Sequence, residues 1–419
     1  MSAWTLADAE RYLLGLELFG MRFGLERMRR LMTALDQPER RFGAIHVVGT
    51  NGKSSTVRMI AAILQRHGLR AGAYLSPHLT SFTERVRVDD ADVAPAAFAR
   101  AVERAARAAA LVDRSQHDDD PVTQFEALTA AAFAELAARE VDVAVVEAGL
   151  GGRYDATNVL DSTVQVLTNV GLEHTRWLGP TVRDIAREKL AVVRDGGTLV
   201  VGADLHPDAL EEARAAAARH GARLVQAPAD PGVEVGAPGA YQQRNFALAR
   251  TAAAAYLRAI GREPAFDAVR AAAGAVRVPG RMQIVAHEPL TVLDGAHNPA
   301  GIAALAESLP QLTAGRRLVV VASILDDKDA AGMLAALLPG VAHAVFTRSH
   351  SPRALPPATL ASLARQLDGP PSELVPDPRR ALRRARELAG PGGVVLATGS
   401  IYLIADLLAP PGRRSASIL

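Results

Sequence analysis

Ile45-His46-Val47-Val48-Gly49-Thr50-Asn51-Gly52-Lys53-Ser54-Ser55-Thr56 is the stretch that decides the fold. A short apolar run ends on a glycine, a second glycine follows, and Lys53 opens a segment with Val57, Ile60, Ala61 and Leu64 on one helical face and Gly68 just past its end. The order is therefore strand, glycine-containing turn, helix. Glycines let several backbone N–H groups turn toward one point. The helix N-terminus adds the positive end of its dipole, and Lys53 adds a charge on a flexible stem, so the turn is suited to holding phosphate. A hydroxyl at Ser54 or Ser55 is placed to reach Mg²⁺. The general phosphate loop has four residues between its first glycine and the Gly-Lys pair; here Thr50 and Asn51 alone intervene. The competing reading is a tight turn with a surface lysine.

Outward from this stretch the pattern repeats. Residues 5–35 read as two helices split around Phe19-Gly20. Buried strands are expected at 72–75, 141–147, 164–169 and 198–201, with helices at 95–112, 124–139, 181–193, 207–220, 241–260 and 266–273. Such alternation argues for a mostly parallel sheet covered by helices on both faces. The pattern pauses at Val276-Arg277-Val278-Pro279-Gly280 and restarts with strands at 291–293, 318–322, 344–347 and 394–397. The expected fold is α/β: an N-terminal P-loop NTPase-like domain, 1–280, with a mostly parallel sheet, and a smaller Rossmann-like C-terminal domain, 281–419. The tail after Pro410 is expected to fray.

Chemistry-bearing residues gather at strand ends. Val143-Ala144-Val145-Val146 runs into Glu147, and a carboxylate at the C-terminal end of a parallel strand points into the crevice where ligands bind. A second glycine-rich turn, 149–152, follows, then Asp155 and Asn158. After the next strand come Glu173, His174 and Thr175. Glu147 suits Mg²⁺, which prefers oxygen ligands; His174 reads either as a ligand or as an ordinary hydrogen-bonded histidine. Arg281 follows Pro279-Gly280, and Asp294-Gly295-Ala296-His297-Asn298-Pro299 ends the first expected strand of the second domain. These are either a hinge and a turn or a grip on nucleotide and developing charge.

Composition narrows the function classes. Apolar residues make up 49%, charged residues 22% and aromatics 4% of 419 residues, with a net charge of +2, so neither the basic cluster nor the stacking aromatics of a nucleic-acid binder are present. No cysteine occurs, which removes disulfides, thiolate metal sites and cysteine nucleophiles. No apolar run approaches the ~20 residues of a membrane span, and the N-terminus lacks the pattern of a secretory signal. A cytoplasmic location is the expectation.

These segments, in order, resemble the Mur-ligase superfamily, and within it folylpolyglutamate synthase/dihydrofolate synthase. The matching stretches are GTNGKSST (49–56), SPHL (76–79), TQFE (123–126), EAGLGGRYDATN (147–158), GLEHTRWLGPT (171–181), EK (188–189), PGRMQ (279–283), LDGAHNP (293–299), DDKD (326–329) and ATGS (397–400). SPHL, TQFE and GRYDATN separate the folate branch from the cell-wall branch. The resemblance implies that ATP phosphorylates a carboxylate of a pterin substrate, dihydropteroate or a reduced folate, and that the amine of L-glutamate then attacks the acyl-phosphate. It implies that Gly49, Thr50, Asn51, Gly52, Lys53, Ser54 and Ser55 cradle nucleotide phosphates. By the same resemblance, Ser76, Glu147 and His174 are ligands of one Mg²⁺, and Lys189 is the lysine that the family carbamylates for a second metal site. A monovalent cation is a further possibility of the family. Thr123, Phe125 and Asp155 would line the pterin pocket, and Arg281, Asp294 and His297 would reach nucleotide or phosphate from the second domain. Lys53, His174, Lys189 and His297 are the expected catalytic set. The family implies a monomer. Departures are Ser54 where the family usually has Gly, Glu173 where it often has Asp, and Leu190-Ala191-Val192 where it has Ala-Gly-Ile. Two other readings compete: a UDP-sugar peptide ligase, which needs more chain before the loop than precedes Gly49, and a P-loop ATPase without ligase chemistry.

Overall fold

A computed structural model describes residues 3–16, 24–115 and 120–410; the expected break at Phe19-Gly20 and the tail beyond Pro410 lie outside them. The chain begins with α1 (Leu6–Gly15) and α2 (Glu26–Ala34), then β1 (Gly43–Val48), α3 (Lys53–Arg66), β2 (Ala71–Tyr74), β3 (Val86–Val88), β4 (Ala91–Asp92), α4 (Pro95–Ser115) and α5 (Gln124–Ala138). It continues with β5 (Val143–Glu147), β6 (Val164–Leu167), α6 (Thr175–Leu178), α7 (Val182–Leu190), β7 (Thr198–Val201), α8 (Pro207–Arg219), β8 (Arg223–Gln226), α9 (Ala240–Ala259) and α10 (Phe266–Ala275). A second series follows: β9 (Gln283–His287), β10 (Leu290–Leu293), α11 (Pro299–Thr313), β11 (Leu318–Ala322), α12 (Ala330–Leu337), β12 (His343–Phe346), α13 (Pro357–Gln366), β13 (Ser372–Leu374), α14 (Pro378–Ala389), β14 (Val394–Thr398) and α15 (Ile401–Leu408).

The first sheet has the order β4-β3-β2-β5-β1-β6-β7-β8, parallel except for the β3 and β4 pairings at one edge. β1 is central, and alternate residues serve opposite layers. Ile45 and Val47 pack with Val57, Ile60 and Phe246 from α3 and α9, while Ala44 joins Phe133 and Tyr74 beneath α4 and α5. A strand buried on both faces reads as a continuous apolar run, which is why β1, β5 and β7 stand out in the sequence. The second sheet runs β13-β12-β11-β14-β10-β9 and is parallel except for β9. One expectation is corrected here. Asp294 follows the second strand of this sheet, because β9 precedes β10 and pairs with it antiparallel. Ile284 and Val285 of that edge strand are each 41% exposed, so it lacks the buried character that marks the others.

The second sheet's layer is held against the first through α9 and α11. The Ala240 N–H donates to Ser308 Oγ at 3.0 Å, Arg244 makes a bidentate pair with Glu307 at 3.0 and 2.7 Å, and the Tyr241 hydroxyl donates to Asp294 Oδ2 at 2.6 Å. These contacts set the C-terminal ends of β10 and β11 opposite the loop after β1. No helix among the described residues is long and apolar enough to cross a membrane.

Candidate active site between the two sheets

The loop after β1 needs both of its glycines. Gly49 has φ +149°, and a Cβ there would lie 1.8 Å from Thr168 Oγ1; Gly52 has φ +83°, and its Cβ would lie 2.6 Å from Asn245 Oδ1. L-residues with side chains rarely adopt such backbone. The next strand's end ties the loop down. The Thr50 N–H donates to the Asn169 carbonyl at 2.9 Å, the Asn51 N–H to Asn169 Oδ1 at 2.9 Å, and the Thr168 hydroxyl to the Asn51 carbonyl at 2.6 Å. Lys53, the first residue of α3, curls back and donates to the Gly49 and Thr50 carbonyls at 3.1 and 3.2 Å. Buried Lys189, from α7, reaches the same Gly49 carbonyl at 2.9 Å. Burial, and next to it the Lys53 charge, bring the Lys189 amine down to about 7; desolvation disfavours the ammonium form.

Glu147, at the end of β5, is buried. It accepts from the Ser54 hydroxyl at 2.9 Å and from the Ser76 N–H at 3.1 Å. Burial pushes its carboxyl up, against the opposing pull of Lys53. Ser54, the departure from the family's glycine, thus hydrogen-bonds the carboxylate expected to meet metal. His174 stands at φ +52° ahead of α6 with its side chain 41% exposed; partial desolvation lowers its ring's pKa, with Glu173 opposing. Its neighbour Glu173 was given no role from the sequence, yet it joins the two sheets' layers. Its Oε1 lies 3.5 Å from both Lys328 Nζ and His297 Nε2, and 3.7 Å from His174 Nε2. Burial opposes ionisation of Glu173, but hydrogen bonding and charge from His297, with His174 and Lys328, outweigh it and hold the carboxyl well below the usual carboxylate range.

One cavity of about 940 Å³ collects the sequence's candidates: all of them line it except Gly49 and the Lys189 that donates to its carbonyl. Within it their partners differ. Phe125 packs over the Gly149 backbone, where a Cβ would sit 2.6 Å from the ring. Thr123 caps α5, its hydroxyl paired reciprocally with Glu126, and the Arg27 guanidinium from α2 meets Glu126 at 3.1 Å. Asp155 accepts from the Leu150 N–H at 2.8 Å and the Thr157 N–H at 3.0 Å, as well as from the Thr157 hydroxyl, so it pins the glycine-rich turn while facing the cavity. Asp294 accepts from the Met282 and Ala296 N–H groups, each at 2.8 Å, in addition to Tyr241; it shapes the turn that presents His297. Arg281 donates to the Gly280 carbonyl at 3.1 Å and packs against Gly295. Lys328 and Arg353 also line the cavity. The signal for Lys328 was its place just past β11, where strand ends deliver ligand-binding groups.

Residues 47–246 match the Mur ligase middle domain and residues 280–401 the Mur ligase glutamate ligase domain. The fold is therefore that of a Mur ligase. A dihydrofolate synthase/folylpolyglutamate synthase of Bacillus subtilis is 32% identical over 426 residues, covering 96% of this chain and 97% of that protein. The chain belongs to the folylpolyglutamate synthase/dihydrofolate synthase family and is an ATP-dependent ligase. Among solved structures, Mycobacterium tuberculosis folylpolyglutamate synthase complexed with ADP superposes with a TM-score of 0.87 at 33% identity, over 96% of this chain and 97% of that one. Escherichia coli FolC in complex with DHPP and ADP gives 0.84 at 30% identity, over 97% of each chain. The chain spans about half, 50%, of a probable bifunctional folylpolyglutamate synthase/dihydropteroate synthase of Haloferax volcanii, with 36% identity.

Proposed function

We propose that this chain adds L-glutamate to dihydropteroate and to reduced folates through an acyl-phosphate. The observation that carries this is the single cavity between the sheets. On one side are the phosphate loop, Glu147 and the Phe125 face; on the other are His297, Lys328 and Arg353. The substrate carboxylate attacks the γ-phosphorus of ATP and ADP leaves. The uncharged amine of glutamate then attacks the acyl carbon, and phosphate departs with the C–O bond. Lys53 neutralises charge on the β- and γ-phosphates, which is where such sites gain most of their rate. Phe125 offers a stacking face to the pterin, and the cations Lys328 and Arg353 suit the carboxylates of glutamate. Closing the cavity between two layers keeps water from the acyl-phosphate.

The donors present fit Mg²⁺. Among the described residues Glu147 makes no ion pair, although it is buried, and a buried carboxylate without a cation is costly unless it meets a metal. Among the described residues no three His, Asp or Glu side chains are arranged to hold a metal ion by themselves, so an ion here would take most of its ligands from water and substrate phosphates. Glu147, Ser76 and neutral His174 would hold it, and when bound it spreads the charge of the transferring phosphoryl group. With an amine near 7, Lys189 is substantially unprotonated at neutral pH, the form that adds CO₂; its carbamate would supply oxygens for a second ion. Purified protein is incubated with ATP, Mg²⁺, glutamate and either dihydropteroate or tetrahydrofolate. Glutamylated product and equimolar phosphate are expected with both. Absence of pterin-dependent phosphate release with either would overturn the reading, and loss of activity on CO₂ depletion, restored by bicarbonate, tests the carbamate.

A further inference from the structure

Asn51 lies in the phosphate loop and Asn298 caps α11 on the other side of the cavity, 247 residues away in sequence. Their side chains exchange two amide hydrogen bonds: Asn51 Nδ2 donates to Asn298 Oδ1 at 3.2 Å, and Asn298 Nδ2 donates to Asn51 Oδ1 at 2.9 Å. The orientation of Asn298 is set independently, because its Oδ1 also accepts from the Gly301 N–H at 2.7 Å; its NH₂ group must then face Asn51. Asn51 has no slack either. Its N–H and carbonyl are taken by Asn169 and Thr168. The surroundings are in contact: a Cβ on Gly301 would lie 3.1 Å from Asn298 Oδ1 and 3.5 Å from Asn51 Oδ1, and one on Gly171 would lie 4.0 Å from Ala300 Cβ. His297 immediately precedes Asn298, so whatever fixes Asn298 fixes the turn from Asp294 onward.

We propose that the Asn51–Asn298 amide pair is a latch, a pair of positioning residues through which the phosphate loop sets the second domain's turn over the reacting carboxylate. This deepens the ligase reading and rests on it. The loop is rigid from the first domain's side, the cap is rigid from the second's, and the two amides are complementary in a single register. Asn51 therefore acts through the second domain as well as through phosphate. A shift of ~1 Å in such a turn is enough to cost ~100-fold in rate, so the latch is expected to show in kcat far more than in nucleotide affinity.

Asn298→Ser keeps a good helix cap but cannot reach Asn51. Asn298→Asp keeps both cap and shape, retains acceptance from Asn51 and loses the return bond. Asn51→Ala removes the partner. The expected result is a kcat lowered ~10-fold or more for Asn298→Ser with KM for ATP within ~3-fold, a kcat loss at least as large for Asn51→Ala, and an intermediate loss for Asn298→Asp. The double variant is expected to be no worse than either single one, since both remove the same contact. The protein has no cysteine, so Arg223→Cys and Arg365→Cys on the two domains accept a label pair whose distance distribution reports their relative position. Asn298→Ser is expected to broaden it. Additive losses, an unchanged distance distribution, or a raised KM for ATP at unchanged kcat would overturn the latch. Wild-type protein without pterin-dependent turnover would refute the ligase reading instead, and the distance measurement still decides the latch.

Discussion

At Ser54 the fold supplies the hydroxyl with a partner that the sequence did not name. From the sequence its hydroxyl was a candidate for metal or phosphate; in the fold it donates to Glu147. Hydrogen bonds to a charged acceptor contribute ~1.5–3 kcal/mol, so Ser54→Ala is expected to disfavour ionised Glu147 and raise the Mg²⁺ concentration for half-maximal activity ~10-fold. A Mg²⁺ titration of initial rates checks this, and an unchanged midpoint would remove Ser54 from the metal's surroundings. Lys189 carries a different cost. Its amine falls from 10.5 to about 7, so between those values the unfolded chain binds a proton that the folded chain does not, and stability rises with pH across that window. Below it the full penalty applies, on the order of 5 kcal/mol at ~1.4 kcal/mol per unit. Lys189→Met is therefore expected to be inactive yet more stable than wild type at pH 7, with the advantage shrinking toward pH 10. Urea denaturation at pH 7 and pH 9.5 tests the sign, and a variant less stable at pH 7 would contradict it. Lys53→Ala is expected to lose at least ~100-fold in kcat, typical of removing a major charge stabiliser.

Among the elements, legibility followed burial. β1, β5, β7, β11 and β14 are apolar runs bounded by turn residues, and their limits could be read to within a residue or two. β3, β4, β8, β9 and β13 lie at or next to sheet edges and carry polar or exposed residues, so they show neither a continuous apolar run nor a firm alternation. That is why the second sheet was expected to start one strand late. Helix starts were written more openly. Thr123 followed by Glu126 is a capping box, and the structure forms both of its bonds. Thr123→Ala is expected to cost ~1 kcal/mol of stability while Thr123→Ser costs little, measured by chemical denaturation. If Thr123→Ala shows wild-type stability and a changed KM for the pterin, the hydroxyl serves substrate rather than the helix.

For the molecule as a whole, what could not be read was which residues meet across the cavity. Glu173 with His297 and Lys328, Tyr241 with Asp294, and Arg244 with Glu307 are far apart in sequence, and no local periodicity links them; only the strand ends, which collect at one side of each sheet, hinted at the meeting. Tyr241→Phe removes a donor from buried Asp294 and is expected to cost ~1–3 kcal/mol. Calorimetry is expected to show a lowered melting temperature, and an unshifted transition would contradict this. The two lysines that share the Gly49 carbonyl have a consequence for how the enzyme responds to its surroundings. With no anion nearby, burial and the Lys53 charge hold the Lys189 amine down to about 7, so the empty loop is an electrostatically frustrated part of the fold. Any small polyanion that settles there, pyrophosphate as well as ATP, relieves that frustration and becomes a folding ligand. By mass action a hundredfold excess over its dissociation constant adds ~2.7 kcal/mol, so the melting temperature becomes a gauge of the cell's phosphate-ester supply.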